Sequence, residues 1–205
     1  MLIETESLRV FLSQFDLSSS TMLEEFWHRK GNIFDLIAKN RFKRCRWNDL
    51  PYTNYGVLSY QWISKWGRMA DFIFSASGLK SKYVWLDWAC LNQLDGNRMA
   101  TIQRSDEIYL HAKEYHLMEV GSLSRGWVLF ELSSVPKNLL PVTHFTTSDT
   151  NMLNMAKATF KRTGFDGCKF SKESDRTLVR RKILEKYGDM QAFNSKIAAI
   201  VDTLL

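Results

Sequence analysis

From residue 55 onward the sequence alternates short apolar runs with segments whose apolar residues follow helical spacing. This alternation constrains the fold more than any other feature of the chain. Four runs predict buried strands, at residues 55–60, 83–88, 115–120 and 142–145. The segments between them predict helices at residues 68–76, 99–113 and 124–134. Strands separated by helices of this length favour a parallel sheet that is covered by helices on both faces.

Further helices are predicted before and after this alternating region. A capping-box spacing that starts at Thr21 opens a helix predicted at residues 21–39. Near the end of the chain, two helices are predicted at residues 173–187 and 190–204, with Gly188 between them.

The composition indicates one globular domain over residues 1–205. Hydrophobic residues make up 45% of the chain, which is enough for a full core. No low-complexity linker or internal repeat interrupts it. We divide the domain into three parts: a helical N-terminal extension at 1–50, a motif-bearing core at 55–145 and C-terminal helices at 150–205.

Several classes of protein are not expected from this sequence. No apolar run approaches the roughly 20 residues of a membrane span, and the acidic N-terminus is unlike a signal peptide, so we expect a cytoplasmic protein without membrane contact. The three Cys residues are widely spaced and the four His residues show no paired spacing, so no metal site is expected. The net charge of +6 suits a phosphate-bearing ligand or a soluble surface equally. No nucleic-acid motif accompanies the basic clusters, so no nucleic-acid partner is expected.

The candidate functional centre is the run SRGWVLFEL at residues 124–132. Trp127 and Glu131 are four residues apart, so they share one face of the predicted helix. That helix starts just after a predicted strand, where ligands of open parallel sheets bind. A carboxylate accepts hydrogen bonds from sugar hydroxyls, and an indole offers a flat wall to an aromatic ring. The alternative is that Trp127 is a core residue and Glu131 a solvated one.

Three segments together resemble the heterokaryon incompatibility (HET) domain. They are LSYQW at 58–62, VWLDWACLNQLD at 84–95 and SRGWVLFEL at 124–132. The last segment is also similar to the Trp-Cys-Leu-x-Glu-Leu segment of Toll/interleukin-1 receptor (TIR) domains, which resemble HET domains in fold. The chain departs from the HET pattern at Ile63, where Gly is usual, and at Phe130, where Gln is usual. The resemblance implies a TIR/flavodoxin-like three-layer α/β fold: a central parallel sheet flanked by helices, with extra helices at both termini.

The resemblance also implies an NAD(P)+ glycohydrolase that cleaves the nicotinamide–ribose bond in cell-death or defence signalling. NAD+ or a related dinucleotide is then a substrate, and no cofactor is expected. The carboxylate that matches the catalytic glutamate of TIR domains is Glu131. Nicotinamide leaves as a neutral base, so the reaction needs no general acid. It needs a group that stabilises an oxocarbenium-like ribose, and a carboxylate does this electrostatically.

Six further residues are expected to bind the substrate: Ser59, Tyr60, Trp62, Asp87, Arg125 and Trp127. Tyr60 is suited to stacking on a ring or to a hydrogen bond with the ribose. Arg125 and the N–H groups at the start of its helix are suited to the pyrophosphate. Asp87 is suited to a hydroxyl contact. Packing for Tyr60, an ion pair for Arg125 and a turn cap for Asp87 are the alternatives.

Two other functions compete with the enzyme. TIR-like folds often act as self-associating interaction modules that need no chemistry. Some bacterial regulators of small GTPases share the Trp-x-x-x-Glu pattern, but they lack the other two segments found here. For the enzyme we expect activation by homo-oligomer formation, because a loop from a neighbouring copy can complete the pocket.

Overall fold

The computed structural model describes residues 2–12, 42–43, 46–59, 78–86, 90, 98–117, 120–139, 141–143 and 149–204. The helices predicted at residues 21–39 and 68–76 lie outside the described residues. Among those described, no helix is long and apolar enough to cross a membrane.

The protein is an α/β molecule with a mixed, mostly parallel sheet. The strands are β1 (Leu2–Glu4), β2 (Phe42–Lys43), β3 (Tyr55–Ser59), β4 (Tyr83–Trp85), β5 (Glu114–Leu117) and β6 (Val142–Thr143). Their order is β2-β1-β4-β3-β5-β6. The pairs β4–β3, β3–β5 and β5–β6 are parallel, as predicted, whereas β1 pairs antiparallel with both β2 and β4. All five residues of β3 are buried, which is typical of a central strand covered on both faces.

The antiparallel edge corrects the prediction for residues 1–50. That region was expected to be a helical extension. Its described residues include a helix at 5–12, but they also supply two strands of the sheet. Leu2 and Ile3 are 1% and 0% exposed, and Ile3 lies opposite Val84 in the register with β4. An apolar pair gains more from burial against the open edge of the sheet than from one turn of an exposed helix.

Seven helices occur in the described residues. They are α1 (Thr5–Leu12), α2 (Arg98–Gln103), α3 (Ser105–His111), α4 (Gly126–Ser134), α5 (Thr150–Thr163), α6 (Glu173–Tyr187) and α7 (Met190–Asp202). The two predicted closing helices are confirmed as α6 and α7. The helix predicted at residues 99–113 is instead two helices, α2 and α3. The break falls at Arg104, whose φ of -105° and ψ of 14° are not helical and whose guanidinium is paired with Glu107 at 2.6 Å.

The centre of the helical layer is α4, which is apolar on almost every side. It contacts α3, α6 and α7. The C-terminal helix α7 seals the core through Phe193, Ile197 and Val201, all of which are buried. The C-terminal helices are therefore an integral part of the core that holds α4 in place.

Candidate functional site

The strand order defines where a ligand crevice is expected. From β3 the chain moves to β4 on one side and later returns to β5 on the other side, so the order reverses between β3 and β5. Ser59 and Leu117, the last residues of these two strands, are partners in the register. In open α/β sheets a reversal of this kind, at the carboxyl ends of the strands, leaves a crevice for ligands.

Ser59 and Glu131 meet at this position. The Ser59 hydroxyl donates a hydrogen bond of 2.6 Å to Oε2 of Glu131. Ser59 is 2% exposed, whereas Glu131 is partly exposed. A short hydrogen bond to a carboxylate is stronger than one between neutral groups, so it fixes the side chain on α4 against the end of β3.

One face of the helix α4 is partly exposed to solvent, and the rest of the helix is buried. Seven of its nine residues are buried, and the two that are only partly buried are Trp127 and Glu131. They are one turn apart, so they lie side by side on one face. Trp127 also packs against the core. The indole of Trp127 is therefore part of the core on one side and partly exposed beside the carboxylate on the other.

A fourth side chain, not predicted from the sequence as a functional residue, belongs to this cluster. Tyr115 lies opposite Val57 in the register, so it shares a face of the sheet with Ser59, two residues along β3. Its side chain is fully buried, and its hydroxyl has no hydrogen-bond partner in the described part of the chain. Parallel strand register is the signal that would have found it.

The surroundings of the Tyr115 side chain favour the neutral, protonated phenol. Burial raises the pKa of Tyr115 well above its usual range, the charge of Glu131 raises it further, and the nearby Ser59 hydroxyl opposes the rise. Ser59 lies near the phenol, but the Tyr115 hydroxyl makes no hydrogen bond with it, and Ser59 donates to Glu131. The phenol therefore remains a donor at neutral pH.

Arg125 and the start of α4 are engaged elsewhere. The Arg125 guanidinium donates to Oγ of Ser171 at 2.7 Å. The N–H of Gly126 donates to the carbonyl of Lys169 at 3.3 Å, and the Phe170 ring covers the Cα of Gly126. The expectation that the first turn of α4 opens onto the crevice is wrong for this N–H group, because the segment before α6 covers it. The carboxylate lies further along the helix, on its partly exposed face.

The remaining predicted site residues, Tyr60, Trp62 and Asp87, lie outside the described residues. The structure thus brings together Ser59 and Glu131, places Trp127 beside them and ties Arg125 to Ser171. No group of three or more His, Cys, Asp or Glu side chains suited to a metal ion occurs within the described ranges.

Comparison with protein-family models, with curated proteins and with solved structures found no match for this chain.

Proposed function

We propose that this protein is an NAD(P)+ glycohydrolase of HET/TIR-like type that acts in cell-death or defence signalling. The observation that carries the proposal is the position of Glu131. Its carboxylate is held by Ser59 at the carboxyl end of the central strand, on the partly exposed face of a buried helix.

The strand order supports a TIR/flavodoxin-like arrangement within the parallel part of the sheet. Counting only β3, β4, β5 and β6 as first to fourth, the spatial order is 2-1-3-4. This matches the start of the flavodoxin-like order 2-1-3-4-5, whose ligand site lies between its first and third strands. The equivalent position here is the gap between β3 and β5, where Ser59 and Glu131 meet.

In the proposed reaction Glu131 accepts hydrogen bonds from the nicotinamide ribose and stabilises positive charge as the glycosidic bond breaks. The pyridinium ring leaves as neutral nicotinamide, so the leaving group needs no proton. Water then bonds to the ribose carbon and loses a proton to the solvent, which gives ADP-ribose. Ser59 keeps the carboxylate oriented, which removes part of the cost of arranging it in the transition state.

The site combines an apolar surface with a carboxylate, and NAD+ combines an aromatic ring with ribose hydroxyls. Trp127 offers an apolar wall beside the carboxylate for the nicotinamide ring. We assign Tyr60, Trp62 and Asp87 to the same substrate on the basis of the HET resemblance. Arg125 reaches the pyrophosphate in this proposal only by exchanging its contact with Ser171.

The test is a comparison of two glutamate variants. Glu131→Gln removes the negative charge and keeps the size of the side chain, and Glu185→Gln makes the same change at an exposed position on α6. We expect Glu131→Gln to lose nicotinamide release by at least about 100-fold, the scale of losing one key electrostatic group. Glu185→Gln should retain it. Equal release from wild type and Glu131→Gln would remove Glu131 from the mechanism.

A self-associating module without chemistry is the second candidate function. It is favoured by Met152 and Met155, which are 54% and 70% exposed on α5 and form an apolar spot suited to contact with a second copy. Sedimentation of wild type and Met155→Glu separates the two candidates. Oligomers that Met155→Glu abolishes, in a protein that releases no nicotinamide at any concentration, would establish the module in place of the enzyme.

A further inference from the structure

A second cleft lies away from the Ser59–Glu131 pair, between α3, the C-terminal end of α4, α6 and α7. Its volume is about 620 Å³, within the range of small-molecule sites. The Phe130 ring and Val135 give it an apolar floor, and lysines form much of its rim. Glu131 is not among the residues that line it, so the cleft is separate from the proposed active site.

Four lysines line the cleft: Lys137, Lys182, Lys186 and Lys196. Only Lys182 is neutralised at close range, by Asp106 at 3.1 Å. The second oxygen of Asp106 is 3.9 Å from the Lys186 ammonium, so one carboxylate serves two cations. Among the described residues, no carboxylate forms an ion pair with Lys137 or Lys196.

Three carboxylates also line the cleft: Asp106, Glu107 and Glu185, so its lining has a net charge of +1. Glu107 pairs with Arg104 at 2.6 Å and Glu185 with Arg181 at 3.7 Å, and neither arginine lines the cleft. Because these arginines offset the two glutamates, the excess of positive charge lies at Lys137 and Lys196.

The surroundings of Lys186 and Lys196 disfavour the charged form of both side chains. Burial lowers the pKa of Lys186; Asp106 opposes this shift, and Lys196 and Lys182 add to it. Burial and the nearby charge of Lys137 lower the pKa of Lys196. An anion placed between these ammonium groups would relieve both effects, because it replaces lost hydration and offsets their mutual repulsion.

The ammonium groups of Lys186 and Lys196 use only some of their N–H donors within the described residues. Lys196 donates to the carbonyl of Ser133 at 2.7 Å and Lys186 donates to Oγ of Ser134 at 2.9 Å. The first bond caps the end of α4, and the two bonds together fix the positions of the two charges. An ammonium carries three donors, so each lysine keeps at least one donor for a ligand.

We propose that this cleft binds a phosphorylated small molecule through Lys137, Lys186 and Lys196. Lysine ammonium groups bind phosphate as point charges, and a group of them matches the several oxygens and the higher charge of a phosphate better than the single charge of a carboxylate. None of the described residues that line the cleft is an arginine. The proposal does not depend on the function assigned to Glu131.

The test is a titration of the purified protein with inorganic pyrophosphate at constant ionic strength, followed by calorimetry and by the midpoint of thermal unfolding. We expect saturable binding to wild type. The double variant Lys186→Gln/Lys196→Gln should bind at least about tenfold more weakly, since it loses two charge-assisted contacts. Lys80→Gln removes one exposed positive charge outside the cleft and should bind like wild type.

If the double variant fails to fold, a single variant, Lys137→Gln, can still test the proposal. Lys137 is exposed and caps no helix, so Lys137→Gln should fold normally and bind more weakly than Lys80→Gln. The proposal is overturned if wild type shows no saturable binding. It is also overturned if Lys137→Gln and Lys80→Gln bind equally, because the effect would then be one of total charge.

Discussion

The Tyr115 hydroxyl is buried beside Ser59 and Glu131 without a hydrogen-bond partner in the described part of the chain. A buried polar group of this kind costs about 1–3 kcal/mol, so its presence needs a reason other than stability. Tyr55, on the same face of the neighbouring strand, shows the usual arrangement: its hydroxyl donates to the carbonyl of Ile108 at 2.5 Å.

We predict that Tyr115→Phe leaves the free energy of unfolding unchanged or raises it by up to about 1 kcal/mol, because no hydrogen bond is lost. Tyr55→Phe is the matched control and should lower it by about 1 kcal/mol, because a buried carbonyl loses its donor. Urea denaturation of the three proteins measures both effects. Equal destabilisation by the two changes would mean that Tyr115 has a partner in the native state.

His116 makes the stability depend on pH. Its side chain is 1% exposed, and Nε2 lies 3.2 Å from Oε2 of Glu114. Burial lowers the pKa of His116, and Glu114 opposes this shift only in part. The imidazole is therefore neutral in the fold at a pH where it is protonated in the unfolded chain, so its contribution is present above about pH 6.5 and is lost as the pH falls through the folded pKa.

We predict that the free energy of unfolding of wild type falls between about pH 7 and pH 5, and that His116→Gln flattens this dependence. Denaturant titrations at several pH values provide the measurement. The same slope in both proteins would show that other groups control the acid response.

Among the elements, α4 depends on a close approach at its first residue. A Cβ on Gly126 would overlap the Phe170 ring, which is held edge-on to Phe165 at 5.5 Å and lies under the Arg176 guanidinium at 4.9 Å. Because these contacts fix the ring, it has little freedom to move away. The glycine thus allows the segment before α6 to cover the start of α4.

We predict that Gly126→Ala destabilises the protein by about 1–3 kcal/mol, the usual effect of overpacking a filled site. Gly78→Ala is the control: no atom of the described residues lies within 4 Å of its added Cβ, so no loss is expected. Thermal unfolding of both variants measures the difference. A neutral Gly126→Ala would mean that the ring moves aside readily.

The strands β3 to β6 and the helices α4, α6 and α7 were predictable because each carries a clear period or a run of buried residues. The antiparallel strand β1 was not, since three residues carry no measurable period and pair only through contacts distant in sequence. The helix α5 was not singled out because only Leu153 and Phe160 of its fourteen residues are buried, a stripe too thin to recognise.

The candidate site was predictable to a similar degree. The shared face of Trp127 and Glu131 could be predicted, because residues four apart lie side by side on a helix. The Ser59–Glu131 bond spans 72 positions in the sequence and follows from tertiary packing alone. Tyr115 depends on the register of β5 against β3, which no local pattern specifies.

For the whole molecule, the C-terminal helices complete the core. Phe193 is 0% exposed and packs against Phe165 and Tyr187 at centroid distances of 6.0 and 5.7 Å. We predict that Phe193→Ala lowers the free energy of unfolding by about 3–5 kcal/mol, because it leaves a large cavity. Urea denaturation measures the loss. A cost below about 1 kcal/mol would show that α7 is a loosely attached extension.

The most direct test of the proposed activity is the release of nicotinamide from NAD+ by concentrated wild-type protein, followed by chromatography over a dilution series. We expect nicotinamide in stoichiometric excess over protein and a specific activity that rises with concentration, because assembly completes the pocket. We expect Glu131→Gln to release at least about 100-fold less. Absence of nicotinamide at every wild-type concentration, or the same rate from Glu131→Gln, would contradict the proposed activity.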